Sequence, residues 1–112
     1  MVELVVREHL KKNFPELPVL FEEPIDQTKR CIVLEKTGSS VVNGIISEQL
    51  SVRAYGQTLY DAYSLNEEIK DAMKRLVEHE LVLGIELNTD YNFTDRAKKK
   101  YRYKSVYDID LF

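Results

Sequence analysis

Cysteine is almost missing from this chain, tryptophan is missing altogether, and only two histidines, three prolines and four glycines occur in 112 residues. A lone Cys31 excludes an intramolecular disulfide and any multi-cysteine metal site. It falls in the apolar run 31–34, where a small buried thiol is the expected role. His9 and His79 lie far apart in the sequence, and no motif supplies either with the oriented partner that a general base requires. Each is read as a surface or interfacial residue. Glu78, His79 and Glu80 are consecutive, so they do not share a helix face, and neither an HExxH nor a Cys/His zinc spacing is present. Gly38, Gly44, Gly56 and Gly84 are isolated, which leaves no GxGxxG turn and no phosphate-cradling loop. The neighbouring carboxylates Glu22 and Glu23, or Glu67 and Glu68, point in different directions on a helix or strand and make poor acid/base pairs. No enzyme, cofactor or metal is therefore expected. Long apolar runs are also lacking, none approaching the roughly 18 to 20 residues of a membrane helix. The first residues carry acid before base, the reverse of a signal peptide, so synthesis in the cytoplasm is expected. The net charge of −3 gives no general attraction to nucleic acid or acidic membranes.

What is present is a soluble α+β pattern. The length suits one domain over residues 1–112. Val2, Val5, Val6, Leu10 and Phe14 fall mostly on one side at helical spacing, Glu3 and Lys11 with Lys12 suit the two ends of a helix dipole, and Pro15 stops the pattern. Pro18 and Pro24 bracket a brief edge strand at 18–23. Residues 30–36 are rich in β-branched and aliphatic side chains, and Thr37-Gly38-Ser39-Ser40 reads as a flexible break opening a short loop over 37–44. Ile46, Leu50, Val52 and Ala54 then alternate with Ser47, Gln49, Ser51 and Arg53, which predicts a second, adjacent antiparallel strand with one wet face. Glu48 interrupts the apolar side, as a residue exposed near a strand end does, or one where the strand projects past the core or meets a partner. Thr58 and Asp61 imitate a capping box. After them Leu59, Ala62, Leu65, Ile69, Ala72, Met73 and Leu76 form a continuous stripe, which predicts a helix lying on the sheet. A strand begins near Ile85 and reaches about Phe93, with a hairpin region at 94–96. The final segment sets Tyr101, Tyr103, Tyr107, Ile109 and Leu111 against Arg102, Lys104, Asp108 and Asp110. The expected architecture is a small, mostly antiparallel sheet of four to five strands with two helices packed on it.

One stretch is chemically biased. Arg96, Lys98, Lys99, Lys100, Arg102 and Lys104 interleave with Tyr101 and Tyr103, and bases with tyrosines can hold single-stranded nucleic acid. In a strand, however, the two tyrosines share one face and Arg102 and Lys104 the other, which places the rings on the core and the bases in water. A solvated hairpin tip or a subunit contact is the simpler use of 96–104, and no specific nucleic-acid binding is expected. A small cellular module that contacts nucleic acid through this hairpin is the alternative.

The short first helix, the strand CIVLEKTG, the strand ISEQLSVRAYGQT running into the helix LYDAYSLNEEIKDAM, and the terminal YRYKSVYDIDLF together span nearly the whole chain. In that order they resemble the tail-completion and tail-terminator proteins of long-tailed bacteriophages and prophages. The resemblance implies a non-enzymatic subunit, without cofactor, that forms a ring, often hexameric, on the head-proximal end of the tail tube in the virion. Such a ring stops tube growth, so its partners are itself, the tail tube protein and the head-tail connector. A loop as short as 37–44 departs from that pattern, since a longer one is expected to contribute to ring contacts. Ring subunits need two different, complementary patches. Arg96, Lys98, Lys99 and Lys100 against Glu67, Glu68 and Asp71 of a neighbour are the candidate pair.

Overall fold

The computed structural model describes residues 2–24 and 30–112. Helix α1, Val2–Asn13, buries Val2, Val6 and Leu10 along one stripe, with Glu3 in its first turn and Lys11 and Lys12 in its last. Asn13 closes it by donating from Nδ2 to the His9 carbonyl at 2.8 Å. A two-residue strand β1, Val19–Leu20, follows, so the early edge strand is shorter than the proline bracket suggested. Then come β2, Cys31–Val42, and β3, Ile45–Gly56. Helix α2, Leu59–Lys74, continues into a single 3-10 turn, Arg75–Glu78. Strands β4, Val82–Asn92, and β5, Tyr101–Leu111, complete the chain. The sheet order is β1-β2-β3-β5-β4, parallel only between β1 and β2. The fold is thus α+β, with five strands and two helices.

Both helices lie on one face of the sheet. Val2, Val6 and Leu10 of α1 and Leu65, Ile69 and Met73 of α2 enclose Ile32, Leu34, Leu50, Val52, Ala54, Tyr107 and Ile109. Removing that apolar surface from water is the main stabilising term. The two helices are joined by His9, whose Nε2 lies 2.6 Å from the Ala72 carbonyl oxygen. His79 is likewise occupied, its Nδ1 accepting the Leu81 amide at 3.1 Å. At the start of α2 the Thr58 hydroxyl accepts the Asp61 amide at 3.1 Å while the Asp61 carboxylate accepts the Gln57 amide at 3.0 Å. The hydroxyl half is the capping box that the sequence pattern predicts, while the carboxylate takes the amide one residue before the cap.

Among the described residues, the opposite face of the sheet carries no helix and is covered only at one end. There Cys31, Val33 and Tyr55 form a second small cluster with Leu20 against it. Burial pushes the Cys31 thiol up to about 11, so it stays neutral and unreactive.

The predicted loop at 37–44 is not a loop. Strand β2 continues to Val42, Thr37 is accommodated as a bulge between Lys36 and Gly38, and the ladder to β3 runs to the Val42–Ile45 pair. Only Asn43 and Gly44 form the turn, both with positive φ, 52° and 79°. Two successive left-handed residues match the right-handed twist of paired strands, which is why Asn-Gly closes hairpins so often. Gly and Ser weaken a strand without preventing it, because the ladder uses backbone groups.

Candidate assembly surface

The long hairpin changes what the molecule offers to a partner. Strand β5 pairs with β3 only as far as Ile46, opposite Leu111. Beyond that point only the Val42–Ile45 pair and the Asn43-Gly44 turn are two-stranded, and the end of the hairpin from the Val41–Ile46 pair outward forms a short arm. Val41 pairs with Ile46 and Val42 with Ile45. Paired residues share a face and successive residues alternate, so each face of the arm carries one apolar pair. Val41 and Val42 are 68% and 65% exposed, and Ile45 and Ile46 are 41% and 36% exposed. None of the four stands out in the sequence as a contact residue, although the Asn-Gly turn sits between two apolar pairs.

Glu48 sits at the root of the arm. Its side chain is only 11% exposed and lies 3.7 Å from Lys36, beyond a good hydrogen bond. Simple exposure near a strand end is therefore overturned: the strand does project past the core, but Glu48 is covered where the arm leaves it. On the face opposite the helices, the outward residues of β5 run Arg102, Lys104, Val106, Asp108 and Asp110. This face is basic at the end remote from the arm and acidic at the end near it. The Ser47 hydroxyl donates to Asp110, and the Asn88 amide donates to Asp108 at 2.9 Å.

Arg96, Lys98 and Lys99 lie exposed in the connection between β4 and β5, held by the Asp95–Lys100 bridge. Lys100 is drawn away from them: its ammonium donates to Glu23 at 2.8 Å. Arg102 also reaches Glu23, at 3.4 Å, donates from Nε to the Phe93 carbonyl at 2.6 Å and stacks over the Phe93 ring at 4.4 Å. The chain after β1 is thereby clasped to the face opposite the helices. Tyr103 packs edge-on against Tyr63 of α2, 5.7 Å between centroids, so the tyrosine side of the alternation faces the helices. Glu67, Glu68 and Asp71 lie along α2, each with a base of the same chain: Lys70 at 2.5 Å, Arg30 at 3.6 Å and Lys74 at 3.9 Å. No ion pair among the described residues joins this acidic set to the basic turn within one chain.

The Glu23 clasp carries a pH signature. The hydrogen bond from Lys100 holds the Glu23 carboxyl below its ordinary value; partial burial opposes this, and the positive charges of Lys100, Arg102 and Arg53 add to it. A carboxyl depressed in the folded state contributes stability that is fully present above its unfolded value and is lost as pH falls through the folded one. Glu23→Gln is expected to flatten the acid limb of a stability-versus-pH curve below about pH 4.5. Urea midpoints measured between neutral pH and pH 3 give the test, and parallel curves for the two proteins would refute it.

A half-buried polar cluster sits between α2 and β4. Lys70 lies 3.4 Å from Asp90, and the fully buried Asn66 donates to the same carboxylate oxygen at 3.4 Å. The charges offset one another and the cluster closes the helix-to-sheet joint. Among the described residues, no group of three His, Cys, Asp or Glu side chains is placed to hold a metal ion, and no helix is long and apolar enough to cross a membrane. No protein-family model matches the chain, and no curated protein matches it.

Proposed function

We propose that this chain is a structural subunit of a long-tailed bacteriophage or prophage that forms a ring at the head-proximal end of the tail tube. The ring ends tube polymerisation and presents its outer surface to the head-tail connector. The observation that carries the reading is the state of the sheet margins. On one side, β1 covers β2 only at Ile32 and Val33, leaving the rest of that edge unpaired among the described residues. On the other side, β4 pairs with β5 alone. Exposed large apolar residues lie at both margins: Val41 and Val42 at the end of β2, with Ile45 and Ile46 beside them on β3, and Leu83, Leu87 and Tyr91 on β4, with Leu81 just before it. Unpaired edges with apolar side chains invite another chain, and two different margins on one sheet suit a head-to-tail contact that closes by rotation.

The nucleic-acid alternative draws less support. Lys100 and Arg102 are occupied by Glu23, and Tyr103 is packed on Tyr63. Light scattering over a range of protein concentrations, with negative-stain imaging, tests the main reading: closed rings are expected, alone or on added tail tubes. Monomers under both conditions would refute it. With Lys100 committed to Glu23, the free bases for a neighbour's Glu67, Glu68 and Asp71 are Arg96, Lys98 and Lys99. Lys98→Glu with Lys99→Glu is expected to weaken assembly about three- to tenfold at low salt, with the difference shrinking as salt is raised. Equal assembly at all salt concentrations would remove the charge pairing and leave the margins.

A further inference from the structure

The arm has a place to go that its own chain cannot use. Between α1 and the open edge of β2 lies a groove of about 350 Å³, lined by Glu3, Leu4, Phe21, Leu34, Glu35 and Lys36. Leu4 and Phe21 are about half exposed, although both are large and apolar. Glu3 brings an unmet demand: its Oε1 is buried and accepts no hydrogen bond. A buried carboxylate oxygen without a donor is costly, and beside it the apolar side chains of the groove are left half open.

We propose that this groove receives the β2–β3 arm of a second copy of this chain, with Val41 and Ile46 against Leu4 and Phe21 and the Asn43 amide near Glu3. The inference deepens the ring reading and rests on it. The segment 37–47 holds no charged residue, so its tip enters an apolar groove without stranding an ion. Asn43 is exposed at the turn and carries two amide donors that suit the Glu3 carboxylate. The arm cannot serve its own groove. Lys36 lines the groove and Val42 ends the strand, and six residues of extended chain at about 3.3 Å each place the tip about 20 Å further along. The continuous ladder to β3 prevents it from folding back. Plug and socket on one chain, unable to meet within it, make a heterologous contact that propagates from copy to copy. An arm apolar on both faces also leaves Val42 and Ile45 to be covered by a second surface of the receiving subunit.

Two single substitutions test the contact in the full chain. Val41→Cys and Leu4→Cys are prepared separately and mixed under mild oxidation; the native Cys31 is buried and stays silent. The expected product is the mixed disulfide heterodimer, about tenfold or more in excess of either homodimer, because docking raises the effective concentration of that pair alone. A chain carrying both substitutions is expected to give a ladder of covalent multimers. Lys12→Cys, exposed near the far end of α1 from Leu4, replaces Leu4→Cys as the control for random collision. Predominance of Val41→Cys homodimers would show arms meeting arms and overturn the inference. So would a mixed product no more abundant than the control. Closed rings without the Val41–Leu4 link overturn the arm contact and leave the ring reading standing. The link with only open-ended ladders does the reverse.

Discussion

Gly56→Ala is expected to cost about 3 kcal/mol of folding stability, the high end of what forced overpacking costs. Gly56 ends β3 opposite Tyr101, and the chain then turns through Gln57 and Thr58 into α2. A Cβ at position 56 stands 2.4 Å from the Ala62 amide nitrogen and 2.9 Å from both the Ala62 Cα and the Asp61 carbonyl carbon. All three are backbone atoms of the first turn of α2. No side chain can swing aside, so the helix start must move, and with it the cap that ties Thr58 to Asp61. Against a total stability of about 5–15 kcal/mol, such a loss leaves a marginal protein. Gly84 is the control, because a Cβ there meets nothing within 4 Å. Urea unfolding of Gly56→Ala and Gly84→Ala reads the difference, and equal midpoints would refute the close-approach account.

The elements legible in the sequence were those whose signals are local. Thr58 with Asp61 announced the start of α2, and the spacing from Ala62 to Leu76 announced its buried face, because capping and periodicity act within a few residues. The strict alternation from Tyr101 to Leu111 fixed the two faces of β5 for the same reason. The arm is hidden in the sequence because Gly38, Ser39 and Ser40 read as breakers, whereas the Asn43-Gly44 turn, the stronger hairpin signal, lies at the far end of the same stretch. Contacts made across long separations left no trace. Asn66 is buried in an apolar stripe because Asp90 comes to it from β4. Lys100 reads in the sequence as one of a run of exposed bases, but Glu23, 77 residues earlier in the chain, reaches it. The open margins of the sheet belong to the same class, since an edge is defined by which strand fails to pair with it.

Ile69→Ala in the core and Val41→Asp on the arm are expected to separate folding from assembly. Ile69 is fully buried on the face of α2 that meets the sheet, so truncation removes its transfer free energy and leaves a cavity. The expected loss is about 2–5 kcal/mol, with a fall in melting temperature of roughly 4 °C or more for each kcal/mol. Val41 is also apolar and β-branched, yet 68% of it is exposed. A carboxylate there strands no buried charge in the monomer, and stability is expected to stay within about 0.5 kcal/mol of the parent, as for other surface substitutions. Assembly should respond in the opposite order. Ile69→Ala still forms rings at temperatures where it is folded, whereas Val41→Asp brings an unpaired charge into any apolar contact and abolishes them. Thermal melts and light scattering on the two proteins give four readings. Loss of stability in Val41→Asp would mean that the arm is part of the core. Full assembly by that protein would mean that the arm is not part of the ring. Both residues are β-branched and apolar, one enclosed by the sheet and the other open to water, so their contrast tests whether the exposed apolar arm is an interface rather than a flaw of the fold.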